Sequence, residues 1–176
     1  MERFEIIDIS KLSKFKSKIV YPLGMCYQDV DEDDVQEKII CIGDENKQRV
    51  ITGKFDQFGQ AKIPVFIGCG GKKAVEVMAV IDTGAYFTCV HEYIAERLGA
   101  TKMKITKSST PYGIQEMPTY MMNYIIDGDL DQNFVSEVRG INFDDVPMLL
   151  GAQFLTQYCD FKYFGKENRF ELIINP

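Results

Sequence analysis

One carboxylate in this chain, that of Asp82, has a sequence context that suits acid–base chemistry. Asp82 directly follows the apolar run Ala79-Val80-Ile81 and precedes the small residues Thr83, Gly84 and Ala85. An aspartate at the end of a buried strand is partly desolvated, and small residues after it let backbone N–H groups approach its oxygens. Two such carboxylates held together share one proton, so that one acts as a base and the other as an acid. Aspartate and glycine are also common in ordinary turns, so the tetrapeptide alone does not distinguish a catalytic site from a turn.

Two later segments extend this pattern. Apolar residues and a glycine stand directly before a predicted helix in the first of these segments, Met148-Leu149-Leu150-Gly151-Ala152. A predicted pair of strands is interrupted by the other segment, Thr110-Pro111-Tyr112-Gly113-Ile114-Gln115. In this order and spacing, the chain resembles the retropepsin-like (retroviral-type, clan AA) aspartic proteases. The tetrapeptide is similar to their D-[TS]-G-[AS] signature, the segment 148–152 to their later signature, and the segment 110–115 lies where their flap tip would be. The resemblance covers residues 60–176 and is closest to single-lobe, non-viral members.

The resemblance implies a catalytic role for three residues. Asp82 would be one half of a dyad that activates water, Thr83 would hold two such loops together across a two-fold axis, and Gly84 would present its carbonyl to the substrate. Only one Asp-Thr-Gly is present, so the implied enzyme is a homodimer rather than a two-lobed chain. The resemblance implies an aspartic endopeptidase that takes peptide or protein substrates and uses neither a metal nor a cofactor.

The resemblance also implies a substrate cleft. Its implied flap and cleft residues are Ala85, Tyr112, Gly113, Ile114, Leu150 and Gly151. The chain departs from the viral members at two positions where they place an acidic residue and an arginine that pair, because Tyr86 and Ala152 stand there instead. Two alternatives stay open: a catalytically silent dimer of the same fold that binds peptides or regulates a partner, and an unrelated β domain with a chance motif.

The elements expected around these residues are mainly strands. Residues 62–67 and 74–81 read as a hairpin across a glycine-rich turn, and 101–106 and 118–126 as an arm around a loop at 108–116. Residues 134–143 predict one or two strands, and 160–164 with 169–174 a terminal hairpin. Short helices are expected at 91–98, closed by Gly99, and from 152 to about 158. The predicted fold is a mainly β, retropepsin-like barrel with two short helices over residues 60–176.

Residues 1–59 carry no catalytic motif. Short apolar runs at 6–9, 19–23, 38–42 and 49–52 alternate with long polar stretches, which predicts a β-rich N-terminal extension. Because it precedes a complete-looking catalytic lobe, we expect a removable or inhibitory segment. Its role as a pro-segment, a regulator or a partner-binding unit stays open.

Composition narrows the functional classes. The net charge of −6 argues against nucleic acid as a partner. His91 is the only histidine, which argues against histidine triads and histidine metal sites, and its position predicts a helix cap. The five cysteines lack a C-x-x-C spacing, so we expect reduced thiols, a cytoplasmic location and no disulfide framework. No apolar stretch is long enough to span a membrane.

Overall fold

A computed structural model describes residues 6–8, 40–43, 48–70, 73–110, 113–127, 132–143 and 145–175. Strands dominate this part of the chain, and it contains two short α-helices. The mainly β fold class predicted from the sequence is therefore confirmed. No helix within the described residues is long and apolar enough to cross a membrane. The predicted run at 19–23 lies outside the described residues.

Most strands belong to one sheet. They are β1 (Ile6–Asp8), β2 (Ile40–Gly43), β4 (Lys62–Gly68), β5 (Lys73–Asp82), β6 (Cys89–His91), β7 (Lys102–Thr110), β8 (Gly113–Ile126), β9 (Gln132–Ile141) and β10 (Met148–Gly151). Hydrogen-bonded neighbours run in the order β9-β6-β10-β5-β4-β8, and β8 pairs back onto β9. This last pairing closes the sheet into a barrel. A closed barrel leaves fewer strand edges exposed and surrounds one core.

The strand β5 shows why these residues form a barrel wall. Its buried residues include Val75, Val77 and Ala79, whereas Glu76 and Met78 between them are exposed. This alternation places one face of the strand on the core and the other toward solvent. After Ala79 the strand becomes buried on both faces at Val80 and Ile81. Asp82 therefore follows the part of β5 that is most enclosed.

A second, smaller sheet packs against the barrel. It contains β3 (Arg49–Lys54), β11 (Cys159–Phe164) and β12 (Arg169–Ile174), with β12 in the middle. The last two form the predicted terminal hairpin, joined through a single 3-10 turn at Gly165–Glu167. Strand β3 comes from the N-terminal extension and pairs with β12 along its whole length. Its Ile51 joins the same hydrophobic core as Phe170 and Leu172 of β12.

The helices begin and end at residues that the local sequence predicts. Helix α1 (Glu92–Leu98) starts after His91, whose Nδ1 accepts a hydrogen bond from the backbone N–H of Tyr93 at 3.2 Å. It ends at Gly99, which has a φ of 75°, a conformation that costs glycine little. Helix α2 (Ala152–Tyr158) follows Gly151 directly and buries Phe154 and Leu155.

The arm between β7 and β8 differs from expectation. The sequence predicts a loop over 108–116, but β7 continues to Thr110 and β8 begins at Gly113. Ser108 pairs with Gln115 and Ser109 with Ile114 in an antiparallel ladder. A proline and a glycine in this segment indicate a loop, but the ladder satisfies the backbone groups of the residues on either side of them.

Candidate active site

The barrel holds the Asp82 loop in place through strand β10. This strand lies between β5 and β6, parallel to the first and antiparallel to the second. Residues 83–88 must therefore cross over β10 to reach β6. Gly151 is the register partner of Asp82, so the later signature segment lies directly beside the earlier one.

Close backbone contacts fix the two segments against each other. The N–H groups of Ala152 and Gln153 donate to the carbonyl oxygens of Ala85 and Tyr86 at 2.7 and 2.9 Å. A Cβ atom built on Gly151 would lie 2.4 Å from the carbonyl carbon of Phe87. No side chain fits at this contact. The glycine thus allows the first turn of α2 to support the loop that carries Asp82.

The loop also orients the Asp82 carboxylate. Its Oδ1 accepts hydrogen bonds from the backbone N–H of Gly84 at 2.9 Å and of Ala85 at 3.3 Å. Side-chain rotation is restricted when one carboxylate oxygen has two fixed donors. The side chain is partly exposed, so it can contact solvent or a bound molecule.

Two cavities meet at Asp82. The larger has a volume of about 1070 Å³ and is bounded by the Asp82 loop, by β7 residues from Lys107 to Thr110, and by residues 141–143, 145–146 and 149. The smaller, of about 460 Å³, is bounded by the turn 55–61 and by Thr83 and Phe161. Both share Asp82, Phe143, Val146 and Leu149. The carboxylate therefore lies where the two cavities join.

The residues singled out from the sequence occupy different places. Gly84 and Ala85 line the larger cavity and Thr83 the smaller one. Leu150 is fully buried in the core, and its neighbour Leu149 lines both cavities instead. Because successive strand residues point to opposite faces, only one leucine of this pair can face the groove.

The predicted flap residues lie at the far end of the arm. Tyr112 lies outside the described residues. Gly113 has a φ of 101° and accepts a hydrogen bond through its carbonyl from the Thr110 hydroxyl at 2.9 Å. Ile114 is 76% exposed, and neither it nor Gly113 lines the two cavities. The groove wall on this side is built by the other strand of the arm, from Lys107 to Thr110.

Two groove residues were not singled out from the sequence. Cys89 and Arg139 both line the larger cavity, and they are register partners on β6 and β9. Burial raises the pKa of the Cys89 thiol to about 12, which the neighbouring Arg139 opposes and Asp82 reinforces. A thiol with this pKa is protonated at neutral pH and is a poor nucleophile. Arg139 could have been found as the only cation in the buried strand β9.

Metal ions and histidine are other common sources of acid–base chemistry. The described residues contain no cluster of three histidine, cysteine, aspartate or glutamate side chains that could hold a metal ion. His91 caps α1. Asp82 is the carboxylate that both cavities share, and Asp145 also lines the larger one.

Comparison with solved structures identifies the fold. No protein-family model matches the chain, and no curated protein matches it. The structure resembles the crystal structure of a retropepsin-like aspartic protease from Rickettsia conorii, with a TM-score of 0.53 and 17% sequence identity over 73% of this chain and 93% of that one. It also matches the solution structure of Simian Foamy Virus (mac) protease, with a TM-score of 0.39 and 22% identity over 55% of this chain and 92% of that one. The match to the Rickettsia conorii structure shows that the chain has the retropepsin-like fold.

Proposed function

We propose that this chain is the subunit of a homodimeric aspartic endopeptidase. The observation that supports this most directly is the position of Asp82. It follows a buried strand, its Oδ1 is held by two backbone donors, and it lies where two grooves meet. The retropepsin-like fold of the Rickettsia conorii protease has the same overall architecture.

The proposed mechanism requires two copies of Asp82. One chain supplies a single Asp-Thr-Gly, and one carboxylate cannot serve at once as base and acid. With two carboxylates close together, like charges disfavour double ionisation, so that the pair holds one proton. The ionised Asp82 would take a proton from water as the water attacks the peptide carbonyl. The protonated Asp82 would then donate its proton to the departing amine, and no covalent intermediate forms.

Other residues would support this chemistry. Thr83 is exposed next to Asp82, where a second copy could contact it, and we assign it the role of holding the two loops together. Gly84 would offer its carbonyl to the substrate backbone. An extended peptide would occupy the larger groove, with β7 and the tip of the arm closing over it and excluding water. Cys69, Cys89 and Cys159 are free, which supports a reducing, cytoplasmic setting.

The test compares wild type with Asp82→Asn on a diverse peptide mixture, with cleavage followed by mass spectrometry. Asparagine keeps an oxygen for the Gly84 and Ala85 donors but cannot act as a base. We expect cleavage to fall by at least about a hundredfold, the smaller contribution of an acid–base group. Glu76→Gln is the matched control, because Glu76 is an exposed carboxylate on the same strand. Equal cleavage by the wild type and Asp82→Asn would refute the assignment.

The non-catalytic alternative has a distinct outcome in the same experiment. A dimer that only binds peptides would retain them equally well with aspartate or asparagine at position 82, and neither form would cleave any of them. Measuring peptide retention alongside cleavage therefore separates a protease from a binding module of the same fold.

A further inference from the structure

A guanidinium group lies in the wall of the groove that holds Asp82. Arg139 is on β9 and is only 5% exposed, yet it lines the larger cavity together with Asp82. Arginine is seldom this buried unless it is paired. Its position is therefore a specific feature of this groove rather than a surface charge.

Its neighbours hold this guanidinium in one orientation. Arg139 donates from one terminal nitrogen to Oε1 of Glu137 at 3.1 Å, and both side chains are buried. The guanidinium also lies over the ring of Phe87, 4.1 Å from its centre. Phe87 belongs to the loop that follows Asp82 and lines the same cavity. Packing on both sides means that little side-chain entropy remains to be lost when a ligand binds.

Arg139 belongs to a cluster of three charged side chains. Glu137 is shared, because its Oε2 lies 3.3 Å from the ammonium of Lys104 while its Oε1 faces Arg139. Lys104 is half exposed and stands outside the cavity lining, so Arg139 is the member of this cluster that faces the groove. The other charged residues of the cavity lining are Lys107, Asp82 and Asp145. A carboxylate bound beside Arg139 would therefore be recognised by direct contact with the guanidinium rather than by an overall positive field.

The sheet register gives the distance from the reaction centre. Val80, Leu149, Cys89 and Arg139 are successive register partners on four neighbouring strands. Strands lie about 4.8 Å apart, so this row spans roughly 14 Å between the Cα atoms at its two ends. Asp82 is two residues beyond Val80 on the same face of β5. These two residues add about 6.6 Å along the strand, so the separation from Asp82 is about 16 Å. An extended peptide advances about 3.3 Å per residue, which puts Arg139 within about five residues of a bond held over Asp82.

We infer that Arg139 is a specificity-determining residue that binds an acidic side chain, Asp or Glu, of the substrate peptide. The inference rests on the proposed function for the identity of the groove, and it adds a substrate class. A carboxylate would form a charge-assisted hydrogen bond with the guanidinium. An apolar substrate side chain would instead cover the guanidinium without compensating its charge. The groove therefore selects peptides with an acidic residue on one side of the scissile bond, within about five positions.

The experiment measures binding separately from cleavage. Peptide libraries carry either Glu or Gln at one fixed position, with the other positions randomised, and each position is tested in turn. Retention is measured on the full-length Asp82→Asn protein, which cannot hydrolyse the peptides, and cleavage is measured on the wild type. At one position we expect Glu to be preferred over Gln by about tenfold, the ratio that corresponds to one charge-assisted hydrogen bond.

The variants distinguish a specificity role from a structural one. Arg139→Met should abolish the Glu preference, and Arg139→Lys should retain part of it. Lys104→Met is the matched control, since it removes a charge from the same cluster without changing the groove wall, and it should keep most of the preference. Glu137→Leu combined with Arg139→Met replaces the buried pair by apolar groups, an exchange that proteins often tolerate. It keeps the test valid if Arg139→Met alone fails to fold.

Each outcome has one meaning. A Glu preference that is lost in the folded Arg139 variants supports the inference. No Glu preference at any position, or a preference that persists without Arg139, overturns it even if the wild type cleaves peptides normally. A Glu preference in binding with no cleavage by the wild type supports the role of Arg139 and refutes the protease. Absence of both binding and cleavage refutes both proposals.

Discussion

Gly151 lies directly against the backbone of Phe87, and a Cβ atom at Gly151 would be 2.4 Å from both the carbonyl carbon and the carbonyl oxygen of that residue. This contact joins the two signature segments, because Gly151 is the register partner of Asp82 and Phe87 belongs to the loop after it. Backbone atoms cannot yield as a flexible side chain can. The geometry of the Asp82 loop therefore depends on the absence of a side chain at position 151.

We predict that Gly151→Ala lowers both stability and activity. The added methyl group must push the loop away from α2, and overpacking of this kind costs about 1–3 kcal/mol of unfolding free energy. Thermal unfolding and peptide cleavage measure the two effects. Gly165→Ala is the control, because a Cβ there would meet only the side chain of the exposed Tyr163. A Gly151→Ala protein as active and stable as Gly165→Ala would show that the contact does not position the loop.

Local signals in the sequence were sufficient to predict several secondary-structure elements and the position of Asp82. The cap of α1 was predictable because His91 and Gly99 bracket a short amphipathic run, and both act through neighbouring backbone groups. The terminal hairpin was predictable for a similar reason, since a polar turn separates two apolar runs. Asp82 was found because an aspartate after an apolar strand is chemically unusual.

Other features depend on contacts between distant residues. Closure of the barrel by β8 against β9 and the insertion of β10 between β5 and β6 have no local signature. For the same reason, the sequence could not say which of Leu149 and Leu150 faces the groove. Arg139 reaches the groove only because β9 pairs with β6. The sequence showed a cation within a buried strand, but it did not show that this residue lines the groove.

The N-terminal extension provides a second prediction. Its composition suggests a removable segment, but β3 pairs with β12 over six residues and Ile51 contributes to the core. Strands β1 and β2 also pair with β5 and β9, but over only three and four residues, so we propose that the removable part ends before Gln48. A protein that starts at Gln48 should remain folded. One that starts at Gln60 should lose cooperative unfolding or aggregate, because the edge of β12 and the ring of Phe170 become exposed.

Circular dichroism and size-exclusion chromatography of the two truncated proteins test this boundary. Ile51→Ala in the full-length chain is an independent check, since truncating a buried isoleucine costs about 2–5 kcal/mol. If the protein starting at Gln60 unfolds as cooperatively as the one starting at Gln48, then β3 is dispensable and the catalytic domain begins at residue 60.

A third prediction concerns acid stability at the turn beside the smaller cavity. The ammonium of Lys62, 2.8 Å from Oδ2 of Asp56, and the backbone N–H groups of Gln60 and Phe58 hold the pKa of Asp56 below its usual value of 3.8. A carboxyl group whose pKa is lower in the folded state stabilises the fold above its unfolded pKa. This stabilisation is lost as the pH falls through the lower, folded pKa.

Asp56→Asn should therefore reduce the melting temperature near neutral pH, and the difference from wild type should shrink as the pH falls below 3.8. Asparagine still accepts hydrogen bonds from the turn, so the substitution isolates the charge. Glu76→Gln, on the exposed face of β5, controls for a general loss of negative charge. A melting-temperature difference that stays constant across the acid range would contradict the linkage.

The last prediction tests whether Asp82 is shared between two subunits. In a closed two-fold dimer, a mixture of equal amounts of wild-type and Asp82→Asn subunits places only about half of the wild-type subunits in wild-type pairs, if exchange is free and dimerisation nearly complete. Activity per wild-type subunit should fall to about half and should fall further as more variant is added, because mixed dimers hold a single ionisable carboxylate. Wild type alone should lose specific activity on strong dilution, since dissociated subunits have no complete site. Exchange must be demonstrated by native mass spectrometry or by energy transfer between labelled subunits, because dimers that never exchange would mimic independent sites. Activity that stays proportional to wild-type protein despite proven exchange would mean that each subunit carries its own site.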